Sequence, residues 1–179
     1  MAGLLFLLFE VRTWKWLDLS MDNGLRQSAQ RLLDSTNITK ILSQFGEVYI
    51  IGSFAFDLMT EPDIDLVVIT DKPKIMSEEA LSTVSKMHLF QKLEHGDFEK
   101  FPKENRPPFY ILNMKTPFDG QAFEIETWFL PEIDKQLEFV EMMKNITEEQ
   151  KQEIIRLKLN RRSKHKLSSF EIYKQVLRA

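Results

Sequence analysis

The chain has 179 residues, of which 43% are hydrophobic and 28% are charged, so it can bury one core and is neither disordered nor fibrous in composition. Its formal net charge is −3, which disfavours a protein that binds nucleic acid over its whole surface. The absence of cysteine excludes disulfides, a thiolate metal site and a cysteine nucleophile, and we expect a cytoplasmic location.

Residues 1–20 form an apolar leader. Its run Leu4–Phe9 is far shorter than the ~20 apolar residues that span a bilayer. It also lacks the basic start and small-residue cleavage site of a secretory signal, so we predict no membrane association. Two interpretations remain open: Gly3–Leu19 covers an apolar surface as an extra strand or helix, or the natural chain starts at Met21.

Residues 21–130 are predicted to form the core, which begins with helical periodicity. Apolar residues at helical spacing predict a helix over Gly24–Phe45, with a break near Ser35–Asn37. Gly46 is a suitable stop for that helix. The short, β-branched run Val48–Ile51 that follows is typical of a buried strand.

A corner and a second strand come next. Gly52 and Ser53 end the first strand, and Phe54–Thr60 is predicted to make about two helical turns with Ser53 as the N-cap. Pro62 disfavours further helix. Asp63–Ile69 then alternates acid and hydrophobe before becoming wholly apolar, which predicts a strand.

The rest of the core is predicted to be a helix, a loop and a hairpin. Ser77 is expected to cap a helix that runs to about Leu93, and the proline-containing stretch His95–Pro108 is expected to be loop. Phe109–Lys115 and Gln121–Leu130 are predicted to pair as a β-hairpin, because the residues between them favour a turn.

Residues 131–179 are predicted to be a helical tail packed on the core. The three helices are expected over Ile133–Met143, Thr147–Leu159 and Ser168–Leu177, with Thr147 and Gln150 as a capping box. The predicted fold class is therefore α+β, a small mixed sheet followed by helices.

Asp63 and Asp65 are the first candidates for chemistry. Residues two apart in a strand point to the same face, and two ionised carboxylates there repel each other without a counter-charge. Mg²⁺ resolves this repulsion, since it is usually held by one or two carboxylates together with substrate phosphates.

The Gly52–Ser53 corner is a candidate phosphate site. Glycine allows a ligand to approach the backbone closely, and a helix N-terminus offers free N–H groups and a favourable dipole to an anion. The hydroxyl of Ser53 would add one donor for a triphosphate.

The second hairpin strand carries a further acidic pair. Alternation places Glu124, Glu126 and Trp128 on one face of this strand. If it neighbours the aspartate strand, the carboxylates converge as two-metal transfer requires, and one of them can take the proton of an acceptor hydroxyl. The alternatives are that the glutamates form a solvated face, and that Trp128 belongs to the core rather than stacking on a ligand.

These residues together resemble the nucleotidyltransferase superfamily related to DNA polymerase beta. The resemblance lies in Gly52–Ser53, nine intervening residues, the pair Asp63 and Asp65, and an acidic residue on a later strand. In size and in its helical tail, the chain is most similar to the minimal and antibiotic-modifying members of this superfamily.

The resemblance implies a chemistry for each part. Asp63 and Asp65 would hold Mg²⁺ or Mn²⁺, and Gly52–Ser53 would seat the phosphates of a nucleoside triphosphate. Glu126, or else Glu124, would be the third carboxylate. The implied reaction moves a nucleoside monophosphate to an acceptor hydroxyl and releases pyrophosphate. A small-molecule acceptor is expected rather than nucleic acid or protein, and a homodimer is possible by analogy.

The chain departs from the family pattern after the corner. Many minimal members carry arginines there, whereas this chain has Phe54–Asp57. Arg106, Lys115 or a late basic cluster could compensate. That cluster is better explained as a helix C-terminus with complementary charge followed by a solvated link than as a contact for triphosphate or RNA; it comprises Arg156, Lys158, Arg161, Arg162, Lys164, His165 and Lys166. The rival functions are a non-catalytic, antitoxin-like regulatory protein and an enzyme that modifies RNA or a protein.

Overall fold

A five-stranded mixed sheet forms the centre of the molecule. The computed structural model describes residues 24–100, 109–132, 140, 142–160 and 167–177. The strands are β1 (Glu47–Ile51), β2 (Asp63–Ile69), β3 (Lys92–Asp97), β4 (Tyr110–Phe118) and β5 (Gln121–Leu130). Their order across the sheet is β1-β2-β5-β4-β3. The fold class is α+β with a small mixed sheet, as predicted.

Among the strands that the structure describes, one neighbouring pair is parallel. β2 runs parallel to β5, whereas β1–β2, β3–β4 and β4–β5 are antiparallel. The predicted hairpin is confirmed, and its strands extend to Phe118 and Gln121. Asp119 and Gly120 make the turn with φ of 49° and 74°, the left-handed conformations that a tight hairpin turn of the primed type needs.

Helices cover one face of the sheet. The described helices are α1 (Gly24–Thr36), α2 (Ile38–Leu42), α3 (Gly52–Ala55), α4 (Pro73–Ser85), α5 (Glu148–Asn160) and α6 (Ser169–Leu177). Apolar residues of α1, α2 and α4 bury the inward positions of the strands in the main core. The sheet residues at its centre include Ile64, Leu66, Val68, Leu112, Met114, Phe123, Ile125 and Phe129.

The fourth helix starts earlier and ends earlier than the sequence predicted. Pro73 occupies its first turn, where proline's missing N–H has no helical partner to lose. Ser77 is therefore no cap but an interior residue, whose hydroxyl donates to the carbonyl of Lys74 at 2.8 Å. The helix ends at Ser85, and His88 adopts a left-handed φ of 53°.

The third strand was not predicted, and the loop prediction for His95–Pro108 is wrong over its first residues. β3 lies at the sheet edge and pairs only with β4. Its sequence holds a single large hydrophobe, Leu93, among polar residues, so neither alternation nor β propensity marks it. Pairing with the long β4 edge supplies the hydrogen bonds that fix it.

The helix after the corner is one turn rather than the two predicted over Phe54–Thr60. α3 ends at Ala55, and the N–H of Leu58 donates to the carbonyl of Ser53 at 2.8 Å. Asp57 then adopts a left-handed φ of 60°, which stops the helix. Ser53 is not the N-cap, because Ile51 occupies that position and makes no side-chain cap hydrogen bond.

The described part of the tail follows the prediction closely. Thr147 and Gln150 form the predicted capping box, with hydrogen bonds of 3.0 and 3.2 Å. A separate apolar cluster joins the two helices to Leu58; it contains Met143, Ile154, Ile172, Tyr173 and Val176.

Some predictions lie outside the described residues. These are the leader over residues 1–20, Arg106, the helix from Ile133 up to residue 139, and the basic residues from Arg161 to Lys166. Within the described ranges, no helix combines the length and the apolar character needed to cross a bilayer.

Candidate active site

Parallel pairing of β2 with β5 places the predicted carboxylates side by side. Asp63 lies opposite Glu124, and Asp65 lies opposite Glu126. Residues two apart on a strand share a face, so all four occupy one face of the sheet, here called the acidic face. The sequence predicted this convergence on the condition that the two strands are neighbours, and that condition is met.

Gly52 lies directly against the carboxylate of Asp65. Ile51 pairs with Asp65 in the antiparallel register, so the next residue follows beside that side chain. Gly52 has a φ of +69°, and a Cβ at this position would overlap Oδ2 and Cγ of Asp65. Glycine is therefore required at the corner for two reasons, its backbone conformation and the close approach of the carboxylate.

Ser53 contributes a buried hydroxyl at the same corner. The residue is 4% exposed, and its Oγ has no hydrogen-bond partner among the residues that the structure describes. A buried hydroxyl without a partner is costly. A ligand oxygen at the corner would supply the missing partner.

Asp65 sits in an unfavourable electrostatic environment on the acidic face. Burial is the main cause that raises its pKa from the ordinary 3.8 to about 7. The negative charges of Asp63 and Glu126 raise this pKa further, while the positive charge of Lys158 opposes the rise. Ionised Asp65 is thus unfavourable in the protein alone, and an added cation would favour the ionised form.

Lys158 brings a buried positive charge from the tail to the corner. The residue is 4% exposed, and its ammonium donates to the carbonyl of Leu58 at 2.8 Å. The sequence placed it only within a basic cluster. A better signal was available, because Lys158 follows the buried Ile154 by one helical turn and so shares its face.

Arg26 is the second cation that the sequence did not single out. Its Nε lies 3.7 Å from the carboxylate of Asp57, and its guanidinium lies 5.3 Å from the ring centroid of Phe54. Asp57 is therefore paired with a charge from α1. The segment Phe54–Asp57 contains no arginine, but the guanidinium of Arg26 in α1 lies beside it.

The two glutamates differ in their partners. Lys115 lies 3.2 Å from the carboxylate of Glu124 and 3.5 Å from that of Glu94, which ties Glu124 into a chain of surface ion pairs. Glu126 instead accepts a hydrogen bond from the indole Nε1–H of Trp128. The difference favours Glu126 over Glu124 as the group left to act with Asp65.

Trp128 belongs to an apolar cluster beside the carboxylates. Its ring stacks on Phe109 at 4.9 Å, and Phe109 stacks on Phe98 at 4.4 Å. Val67 and Ile111 pack in the same cluster. The core interpretation of this tryptophan therefore fits the contacts better than a free stacking platform.

The donor set fits a divalent ion held partly by substrate. Among the described residues, no group of three or more histidine, aspartate or glutamate side chains is placed to hold a metal ion. Mg²⁺ needs only one or two protein carboxylates when phosphate oxygens complete its shell. Asp63 and Asp65 are such a pair, since they lie on one face and the charge of Asp63 raises the pKa of Asp65.

Comparison with known proteins supports the fold. No protein-family model and no curated protein matches the sequence. Among solved structures, the chain resembles one described as the structure of the GLD-2/RNP-8 complex, with a TM-score of 0.52 and 13% identity. The match covers 86% of this chain and 54% of the other, so the chain spans about half the length of that relative. At this identity the likeness concerns the fold.

Gly52→Ala is expected to destabilise the protein more than Gly120→Ala. Both glycines have a positive φ, +69° and +74°, but a Cβ at position 120 would meet nothing within 4 Å. The left-handed backbone costs roughly 1–2 kcal/mol at either site, so the excess at position 52 measures the overlap with Asp65. Urea unfolding of both variants gives the comparison.

The overlap can be tested further in a double-mutant cycle. Asp65→Ala removes the atoms that a Cβ at position 52 would overlap most closely, so Gly52→Ala should cost less in that background. Equal costs in the two backgrounds would show that Gly52 is required for its φ alone.

Asp65→Asn is expected to stabilise the metal-free protein increasingly as pH rises. The pKa of Asp65 is about 7 in the fold against 3.8 normally, so the folded state binds this proton more tightly than the unfolded chain. Its contribution to stability is present at low pH and is lost as pH rises through about 7, at most roughly 4 kcal/mol. The asparagine variant has no such loss.

The measurement is urea unfolding with a chelator present, between about pH 5 and pH 8. The stability difference between Asp65→Asn and the parent should grow over this range. The exposed Glu47 provides the control, since Glu47→Gln should show no such trend. A constant difference for Asp65→Asn would contradict the expected titration.

Lys158→Met is expected to destabilise the fold by about 1–3 kcal/mol, because it removes a charged donor from a buried carbonyl. The cost should be smaller in an Asp65→Asn background, where no negative charge remains to be balanced at position 65. Lys151→Met is the matched control, since that ammonium lies on the same helix 3.7 Å from Glu148 at the surface. Equal costs for Lys158→Met in both backgrounds would rule out the electrostatic link.

Proposed function

We propose that this chain is a metal-dependent nucleotidyltransferase. It moves a nucleoside monophosphate from a nucleoside triphosphate to an acceptor hydroxyl and releases pyrophosphate. One observation carries the proposal, the parallel register of β2 and β5 that puts Asp63, Asp65 and Glu126 on one face. The α+β fold and its likeness to the solved GLD-2/RNP-8 structure support it.

Asp63 and Asp65 hold Mg²⁺, or Mn²⁺, in this proposal. The ion would supply Lewis-acid polarisation of the phosphate and would stabilise the charge that develops on the leaving oxygen. Binding of the ion would also offset the cost of ionising Asp65, because its positive charge would oppose the burial and repulsion that raise the pKa of this carboxyl.

Gly52 and Ser53 seat the phosphates. The backbone at Gly52 lies beside the carboxylate of Asp65, so phosphate bound at the corner would be adjacent to the metal-holding pair. The buried Oγ of Ser53 is available as a donor, since it has no partner within the described residues. The charge of Lys158 near this corner favours an anion there, and Arg26 offsets the negative charge of Asp57.

Glu126 takes the proton of the acceptor hydroxyl. The acceptor oxygen then attacks the α-phosphorus, a new P–O bond forms, and the bond from that phosphorus to the bridging oxygen breaks. The electron pair leaves with pyrophosphate, and the proton stays on the Glu126 carboxylate until solvent removes it. Glu124 is the alternative base, although Lys115 already lies 3.2 Å from its carboxylate.

The substrate and setting are proposed from the same chemistry. The acceptor is a small molecule rather than nucleic acid or protein, in keeping with the net charge of −3. The enzyme acts in the cytoplasm. By analogy with small members of the superfamily, it forms a homodimer.

The first test is isothermal titration with a non-hydrolysable ATP analogue, with and without Mg²⁺, then with GTP, CTP and UTP analogues. The parent should bind one or more of these only with Mg²⁺, and Asp63→Asn/Asp65→Asn should lose that binding while remaining folded. Glu47→Gln/Glu79→Gln removes two exposed carboxylates and should bind like the parent.

Other outcomes separate the rival functions. If the folded parent binds no nucleotide, the enzyme proposal fails and a non-catalytic regulatory protein is favoured. Mg²⁺-dependent binding together with activity on RNA that falls steeply with added salt would replace the small-molecule acceptor by RNA.

A further inference from the structure

The indole of Trp128 makes a specific contact with Glu126 that packing alone would not require. Its Nε1–H donates to Oε1 of Glu126, two residues earlier on the same face of β5. A buried or partly buried indole N–H usually finds a polar partner. Here the partner is the carboxylate that lies opposite Asp65 in the register.

The indole itself is held in place from several sides. It stacks on Phe109 with an interplanar angle of 11°, and Phe109 stacks on Phe98 at 16°. In the sheet register, Val67 and Ile111 flank Trp128 on the two neighbouring strands. Because the ring is fixed by these contacts, the direction of its N–H is fixed as well.

Glu126 needs such an anchor because its surroundings repel it. Its charge and that of Asp65 oppose each other, and a glutamate side chain has enough rotatable bonds to swing away from like charge toward water. The indole N–H gives its carboxylate a favourable partner two residues along the same strand. The contact therefore opposes the movement that repulsion favours.

We propose that Trp128 is a positioning residue, which holds Glu126 beside Asp65 by its indole N–H so that the carboxylate meets the acceptor hydroxyl. The role rests on the proposed nucleotidyltransferase function. In this role, the aromatic cluster of Phe98, Phe109 and Trp128 supports the proposed general base Glu126 and does not bind a nucleobase.

The contact can be tested without any turnover. The chain has three tryptophans, and Trp128→Phe identifies the indole signal of Trp128 in a ¹H–¹⁵N spectrum of the full chain by its loss. Glu126→Gln should move that signal upfield, because a carboxylate acceptor becomes a weaker amide oxygen. Glu124→Gln, two residues earlier on the same face, is the matched control and should leave the signal in place.

The positioning role is tested by kinetics with Mg²⁺ and ATP, with water as the acceptor hydroxyl and pyrophosphate release as the probe. Glu126→Gln should lower kcat by roughly 10²–10⁴-fold, the usual contribution of a positioned base. Trp128→Phe keeps a ring in the stack and should lower kcat by about 10-fold, as loss of an outer-shell partner does, with the KM for ATP unchanged. The double variant should be no slower than Glu126→Gln alone.

The outcomes are distinguishable. An indole signal that Glu126→Gln does not move, or a Trp128→Phe variant with parental kcat, overturns the positioning role and leaves the proposed function standing. A rise in the KM for ATP with unchanged kcat also overturns it, in favour of nucleobase binding. A folded parent that binds nucleotide nowhere and releases no pyrophosphate overturns the proposed function, and the positioning role with it.

Discussion

The burial of Asp65 among other carboxylates is the constraint on which the site depends. The parallel register of β2 and β5 fixes Asp65 beside Glu126, and partial burial raises the pKa of Asp65 to about 7. A fold stabilised only by apolar burial would not retain such a group, because neutral residues of similar shape cost less. Two neighbouring features accommodate the Asp65 carboxylate. Gly52 leaves room for the carboxylate, and Lys158 brings a buried opposite charge from the tail.

The two faces of the sheet perform different tasks. One face is mainly apolar and is covered by α1, α2 and α4, which fixes the strands rigidly. The other carries the carboxylates together with the aromatic stack of Trp128 on Phe109. Because strand alternation separates the two sets of side chains, the acidic face gains the rigidity of the core while its carboxylates lie outside the main core cluster. Charged groups on rigid strands are better preorganised for chemistry than groups on loops.

Positive charge reaches the corner from distant parts of the chain. The residues after Ser53 supply none, yet Arg26 approaches Asp57 and Phe54 from α1, and Lys158 approaches Leu58 from α5. The tail helices therefore do more than bury their own apolar cluster. They contribute electrostatically to a site whose acidic residues all lie in the sheet, and the likeness to the GLD-2/RNP-8 structure extends over 86% of the chain, well beyond a short motif.

The sequence alone determined the elements that follow from periodicity and local chemistry: the β2 and β5 strands, the hairpin that ends in β5, and the capping box at Thr147. It also determined that Glu124 and Glu126 share a face, because alternation on a strand is a local property. Tertiary structure decided the rest. The edge strand β3 carries almost no pattern of its own and exists through pairing with β4. The approach of Lys158 to Leu58, across a separation of 100 residues, and the fit of Asp65 against Gly52 depend on how strands and helices assemble, which no local pattern encodes.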